Sequence, residues 1–328
     1  MTMSESENQA RAVCWVVTDG RAGIEAQALG LAEAVADLAP VDIVVKRIAA
    51  RAPWRYLPWR FWGDPFARLS KGSDPLAPPF PDLWIGCGRL SVPLTIAIKK
   101  RAPKIFTAQL QDPRAPSSLF DLVIPPEHDG LVGETVFPII GSPNRLPPQR
   151  SANGLSGAPR SVAVLVGGPN RAFRMSRKSI GEMRAALADL ADRGVRLQVT
   201  TSRRTPQEMR AMLRAFAERP DVGVWIAGED DERANPYPAM LADCDAALVT
   251  EDSVNMAVEA ASTGRPVYLF TLERKPFASA AKFDAFHDGL KRRGALRVYD
   301  GALEDWSYEP LAETQRAARE VLRRWRAR

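Results

Sequence analysis

Only two of the 328 residues are histidine and three are cysteine: Cys14, Cys87 and Cys244. So few imidazoles leave no material for a His-rich metal centre. The cysteines are odd in number, far apart and flanked by short apolar runs. They read as reduced core thiols rather than as a disulfide framework or a zinc site. No stretch approaches the roughly 18 apolar residues of a membrane-spanning helix. Met1 to Asn8 also lacks the basic and apolar regions of a secretory signal, so a cytoplasmic protein is expected, with any contact to the inner membrane peripheral. Lysine is scarce as well, 9 against 36 arginines. The net charge of +6 favours an anionic partner without identifying it. No helix-turn-helix, zinc-finger or RRM pattern accompanies the Arg-rich tail 323–328, so nucleic acid is not the expected partner. Neither a G-x-G-x-x-G nor a P-loop is present.

What is present is α/β in pattern. The length is about twice a common domain, and 45% hydrophobic with 26% charged residues suits two soluble cores. Apolar runs of four to six residues alternate with helical-period segments, as in parallel sheets. Val13–Thr18 reads as a strand, Asp19 to Gly23 as a Gly-containing turn, and Ile24, Ala28, Leu31, Val35 and Leu38 as one face of a helix. Further strands are expected at 41–46, 83–86, 105–108 and 122–124, with a helix over 91–101. Residues 145–159 are rich in Pro, Gly and Ser and read as a linker. Ser161–Val166 restarts the pattern, followed by Gly167-Gly-Pro-Asn170 and a helix carrying Ile180, Met183, Leu187 and Leu190, stopped by Gly194. Strands near 195–201, 222–227, 246–250 and 267–270 follow. The expected division is 1–148, 160–309 and a C-terminal helix over 310–328.

Ligands of doubly wound sheets bind beyond the carboxyl ends of the strands, so the post-strand loops carry the chemistry. Thr18–Gly23 and Gly86–Ser91 are such loops in the first half, and 167–170 and 250–255 in the second. The segment 246–270 reads as strand, loop, helix, Gly stop and strand, a complete βαβ unit. Glu251 and Glu259 are eight residues apart, about 12 Å if helix fills the interval. That distance matches the separation of the phosphate and sugar ends of a nucleotide. Ser253 with the Val254 and Asn255 amides could hold a diphosphate, and Glu259 both hydroxyls of a ribose. The same residues also read as a helix cap and a solvated charge.

The βαβ segment, with its Glu-x7-Glu spacing and the ending Glu259-Ala-Ala-Ser-Thr-Gly-Arg-Pro266, is similar to the nucleotide-sugar site of GT-B glycosyltransferases. Thr18 to Glu33, Pro125 to Gly130 and Val249 to Met256 resemble the mitochondrial fission ELM family, and the resemblance covers nearly the whole chain. That family holds a plant fission factor and many bacterial relatives described as glycosyltransferases. The resemblance implies two Rossmann-like α/β domains facing a cleft, GT-B type, with the donor on the second and the acceptor on the first. It implies a nucleotide-sugar donor, UDP-linked for preference, bound by Gly167, Gly168, Asn170, Ser202, Thr250, Glu251, Ser253, Asn255 and Glu259. It implies an acceptor, a cell-envelope glycan or lipid-linked molecule, bound by Gly20, Arg21, Gly23, Gly88, Arg89 and Ser91. No metal and no other cofactor is implied, because helix-end amides and basic side chains neutralise the leaving diphosphate. Asp243-Cys-Asp245 matches an Asp-x-Asp metal motif but precedes a strand, at the wrong sheet end.

Candidates for a general base are Asp19, Glu25 and His128, the last beside Asp129. Ile24 stands where many family members carry histidine, which argues against a histidine base in the first loop. Two alternatives use the same fold: a nucleotide-sugar epimerase and a non-catalytic adaptor. Finally, residues 51–62 gather Trp54, Trp59 and Trp62 with Arg51, Arg55 and Arg60, followed by Arg68 and Lys71. This composition suits an exposed patch for an anionic membrane carrying the acceptor. The other reading is a Trp-rich crossover packed on the first sheet.

Overall fold

The computed structural model describes residues 11–146 and 157–328. Most of the Pro/Gly/Ser-rich stretch expected as a linker, and residues 1–10, lie outside the described residues. The chain forms two compact units, 1–145 with 313–328, and 146–312.

In the first unit, β1 (Ala12–Thr18), α1 (Ala22–Ala36), β2 (Val41–Arg47), β3 (Leu83–Cys87), α2 (Ser91–Arg101), β4 (Phe106–Leu110) and β5 (Leu122–Ile124) build one sheet in the order β2-β1-β3-β4-β5. All pairings are parallel. Burial on both faces explains the unbroken apolar runs. Cys14 and Val16 pack with Ala28, Leu31 and Val35 of α1 on one face. Trp15 and Val17, one residue out of phase, pack with Leu94 and Ile98 of α2 on the other. The chain reverses direction across the sheet between β1 and β3, so this unit's switch point lies beyond Thr18 and Cys87.

The second unit comprises β6 (Ser161–Val166), β7 (Phe173–Arg174), α3 (Arg177–Asp192), β8 (Arg196–Thr201), α4 (Gln207–Phe216), β9 (Val222–Trp225), α5 (Tyr237–Asp243), β10 (Ala246–Thr250), α6 (Val254–Ala261), β11 (Val267–Phe270), β12 (Glu273–Arg274), α7 (Ala281–Arg292) and β13 (Leu296–Val298). Its six-stranded parallel sheet runs β13-β11-β10-β6-β8-β9, with β12 and β7 paired antiparallel outside it. Here the switch point falls between β6 and β10, which brings the 167–170 and 251–253 loops together. Both sheets have the expected α/β class.

The C-terminal helix α8 (Glu313–Arg326) is not a segment apart. Ala317, Ala318, Val321 and Leu322 join the first unit's core beside α1. The Glu313 carboxylate accepts the Ile140 N–H at 2.8 Å, and Thr314 Oγ1 accepts the Asn144 N–H at 3.0 Å. Arg328 then donates to the Ile105 carbonyl at 2.8 Å.

The connection from β2 to β3 holds three one-turn 3-10 helices, 54–56, 59–61 and 66–68. Its tryptophans do not form the exposed patch the composition suggested. Trp62 is 2% exposed, with its indole N–H on the Leu57 carbonyl. Trp59 packs toward Val92, Ile96 and Phe120 and donates to the Arg114 carbonyl at 3.2 Å. Trp54 lies under the Arg68 guanidinium at 4.3 Å. All three cysteines are buried and free, and burial pushes the Cys87 thiol up to about 12. Among the described residues no helix is long and apolar enough to cross a membrane.

Candidate functional site

At the second unit's switch point, Asp252 is the hub. Its Oδ2 accepts the Gly168 N–H at 2.8 Å and its Oδ1 the Thr250 hydroxyl at 2.8 Å, while Thr250 Oγ1 accepts the Gly167 N–H at 2.8 Å. Arg204 Nη2 lies 3.6 Å from the same carboxylate and its Nη1 donates to the Gly168 and Pro169 carbonyls. The carboxyl is fully enclosed, and burial raises its pKa even though these donors pull it back. This lattice sews the β6 loop to the β10 loop.

It also corrects the role expected of several residues. The Gly167 and Gly168 amides are engaged within the protein and do not offer themselves to a diphosphate. Glycine is needed there for clearance: a Cβ on Gly167 would overlap the Asp252 carboxylate, and one on Gly168 would come 2.5 Å from the Arg204 backbone. Thr250 is buried inside the lattice. Asn170 Oδ1 accepts the Ala172 and Phe173 N–H groups and its amide donates to the Asp252 carbonyl. Glu251 is buried, accepting the Leu272 N–H at 2.9 Å and facing Arg274 at 3.3 Å, so it fastens the chain after β11. Ser202 Oγ accepts the Arg204 N–H and shapes its own turn.

What the lattice leaves toward a ligand is the opening of α6. Ser253, itself buried, takes the N-cap position and its side chain makes no capping bond, and Asn255 on the first turn is exposed. Helix begins at Val254, three residues after Glu251, so Glu259 stands about 7.5 Å along the helix and helical rise does not measure the whole interval back to Glu251. Glu259 is half-buried and its Oε2 accepts the Tyr237 hydroxyl proton. Burial holds its carboxyl up at about 7, although the Tyr237 bond acts in the opposite direction. Two residues join this set that the sequence reading omitted. Arg204 follows β8 and was open to the same post-strand rule. Tyr237 opens α5 after a long loop and carried no signal.

In the first unit, Asp19 accepts from its neighbour Arg21 at 2.9 Å, and Glu25 takes a two-point bond from Arg47, both contacts at 2.8 Å. The Arg47 bond holds Glu25 below the usual carboxylate range, which makes it a poor proton acceptor. His128 lies half-buried in a one-turn helix after β5. Three strand spacings separate β5 from β1, about 14 Å, so His128 does not share a cluster with Asp19 and Glu25. Gly88, at φ +83°, lets the β3 loop pass close to Ile24, and Arg21 is exposed beside it. Gly20 takes the left-handed conformation at φ +75° before α1, and Gly23 lies within that helix. Arg89 instead donates to the Leu57 and Arg55 carbonyls. Ser91 is buried in a network with Gln109 and the Gly88 carbonyl. Both side chains bond within the first unit. The Asp243 to Asp245 motif is framework: Asp245 accepts the Arg160 and Ser161 N–H groups at 3.0 Å and fixes the start of β6.

Compared with known proteins, residues 22–325 match the family described as mitochondrial fission ELM1. A mitochondrial fission protein ELM1 of Arabidopsis thaliana is 28% identical over 284 residues, 76% of this chain; the chain spans 65% of that relative's length. An uncharacterized protein, RP120, of Rickettsia prowazekii (strain Madrid E) is 25% identical over 350 residues, covering 93% of this chain and 96% of its own. Among solved structures, a Listeria monocytogenes protein provisionally identified as a UDP-N-acetylglucosamine 2-epimerase has a TM-score of 0.52 at 11% identity. The match covers 96% of this chain and 88% of that one, and it establishes a shared fold.

Proposed function

The chain belongs to the mitochondrial fission ELM1 family, and on that footing we propose that it is a metal-independent glycosyltransferase of GT-B type, drawing a sugar from a UDP-sugar. The single observation that carries the reading is the pairing, on one short helix, of an N-cap serine that makes no capping bond with the Glu259 carboxyl about one and a half turns on. Ser253 and the first-turn amides of α6 take the diphosphate, with the half-exposed Arg204 guanidinium neutralising charge as the leaving group departs. Glu259 takes the ribose hydroxyls, displacing the Tyr237 hydroxyl it holds in the free protein.

The first unit then binds the acceptor, a cell-envelope glycan or lipid-linked alcohol. Its switch point lies between β1 and β3, and Asp19 is the carboxylate nearest that point whose partner, Arg21, is itself exposed and displaceable. Asp19 therefore takes the acceptor proton. Glu25, locked on Arg47, holds the loop, and His128 acts at most on a remote part of the acceptor.

A second reading has one observation in its favour: Asp19 of the first loop and Glu25 of the first turn of α1 are both committed to ion pairs, as suits a non-catalytic adaptor that keeps a nucleotide fold as a recruitment surface. Product analysis with labelled UDP-sugars and an envelope extract separates the outcomes. Transferred sugar supports the proposal. Epimerised sugar assigns the other enzyme of this fold, and an unaltered donor despite measurable UDP binding favours the adaptor.

A further inference from the structure

The crossover between β2 and β3 turns its tryptophans inward and leaves two other aromatics outside. Tyr56 is 67% exposed and Phe61 57% exposed, one on each of the first two 3-10 turns. Each carries its preceding arginine on a ring face: Arg55 lies over Tyr56 at 4.6 Å and Arg60 over Phe61 at 5.0 Å. From 51 to 71 the charges are Arg51, Arg55, Arg60, Arg68 and Lys71 against Asp64 alone, a net +4 of the chain's +6. Asp64 is turned to the Phe66 N–H. The segment is braced from beneath by Trp62, by Trp59 on the Arg114 carbonyl, and by Arg89 on the Arg55 and Leu57 carbonyls. Arg89 and Arg114 belong to the loops after β3 and β4, so the turns lie at the same sheet edge as the Asp19 loop.

We infer that this pair of turns is a docking surface for an anionic lipid bilayer. Amphipathic aromatics surrounded by guanidinium groups match the interface between head groups and acyl chains, where rings bury and cations meet phosphate. Charge complementarity selects the anionic surface. Nucleic acid is disfavoured because its bases need open ring faces for stacking, and here a guanidinium already occupies one face of each ring. The inference stands apart from the reaction, since the surface is defined without reference to donor or acceptor. It gives a protein with no spanning helix among its described residues a means of meeting a substrate held in a membrane.

The test is co-sedimentation of the full chain with vesicles of phosphatidylcholine alone and of phosphatidylcholine with 30% phosphatidylglycerol (about one anionic lipid in three, a moderate surface charge), at low and high salt. The expected result is binding to the anionic vesicles alone, released by salt. Arg55→Ser with Arg60→Ser lowers the partition coefficient about 30-fold, from roughly five-fold per surface arginine. Tyr56→Ser with Phe61→Ser lowers it too, and leaves the weakened remainder more salt-sensitive. The exposed pair Arg177 and Arg184 on α3, changed to Ser, removes the same charge elsewhere and leaves binding as it was. Should the wild-type chain sediment with neither vesicle, or the α3 control lose as much as the crossover variants, the surface is not a bilayer site. Thermal unfolding of each variant separates lost docking from lost fold, and the wild-type salt and lipid dependence decides the matter even if a variant misfolds.

Discussion

Glu259 offers a measurement in which the structure dictates the sign. In the free protein its carboxyl is held up at about 7 from an ordinary 4.5, burial being the cause. It is therefore mostly protonated at pH 5.5 and mostly ionised at pH 8. A ribose presents two hydroxyl donors, which a carboxylate accepts at both oxygens and a carboxylic acid does not. Nucleotide binding should thus pull the carboxyl back down and release a proton. If it returns to the ordinary value, the full gap is worth about 3 kcal/mol, and affinity rises about 25-fold from pH 5.5 to pH 8, flattening above pH 7. The assay is titration calorimetry with UDP across that range, in two buffers of different ionisation enthalpy, on the wild type and Glu259→Gln. UDP's own phosphate titrates in the same interval, but equally for both proteins, so the ratio of their affinities isolates Glu259. The expected ratio climbs with pH. Parallel profiles for the two proteins, or no UDP binding by the wild type, would refute the ribose assignment.

Other outcomes follow from buried groups. His287 on α7 is enclosed with no partner for its Nε2 among the described residues, and burial lowers it to about 4 from 6.5. The unfolded chain then binds the extra proton between those values, so stability is complete above pH 6.5 and falls toward pH 4 by up to about 3 kcal/mol. Urea unfolding at pH 7.5 and pH 5 should show this for the wild type and much less for His287→Gln. Asp252→Ala strips acceptors from Gly168, Thr250 and Arg204 at once, and should destabilise the chain by about 2–4 kcal/mol in urea titration. Gly167→Ala meets the same carboxylate by overlap and should lose about 1–3 kcal/mol in the same titration. Trp62→Ala, a cavity under the crossover, should lose about 3–5 kcal/mol on denaturation, distinguishing a brace from a lipid contact.

Much of the fold was legible because parallel strands covered on both faces become unbroken apolar words between glycine-bearing loops. Val13–Thr18 and Ser161–Val166 are such words, and their loops do flank the switch points. The chemistry was less legible because post-strand polar residues serve two masters. In writing, Thr250, Glu251, Asp252 and Asn170 look as ready for a ligand as Ser253. Only distances reveal that the first four bind each other or neighbouring backbone. The ruler between Glu251 and Glu259 assumed helix throughout, whereas helix starts three residues after the first glutamate. Residues 54–62 failed differently. Composition announced aromatics and arginine, but short 3-10 turns interrupted by proline decide facing residue by residue, and they sent Trp62 in and Phe61 out.

The return of α8 to the first unit sets an order of events during synthesis. β1 to β5 are made before 146–312, but the helix that covers Ala28, Leu31 and Val35 is made only after it. The second unit can therefore finish before the first, which reverses the usual N-to-C sequence of domain maturation. In the interval the outer face of α1 and of the first sheet is bare apolar surface, a natural client for a chaperone. A stop codon between 313 and 317 would leave the second unit intact and the first unable to close. A circular permutant with 313–328 ahead of β1 should instead let the first unit mature while the second is still being translated.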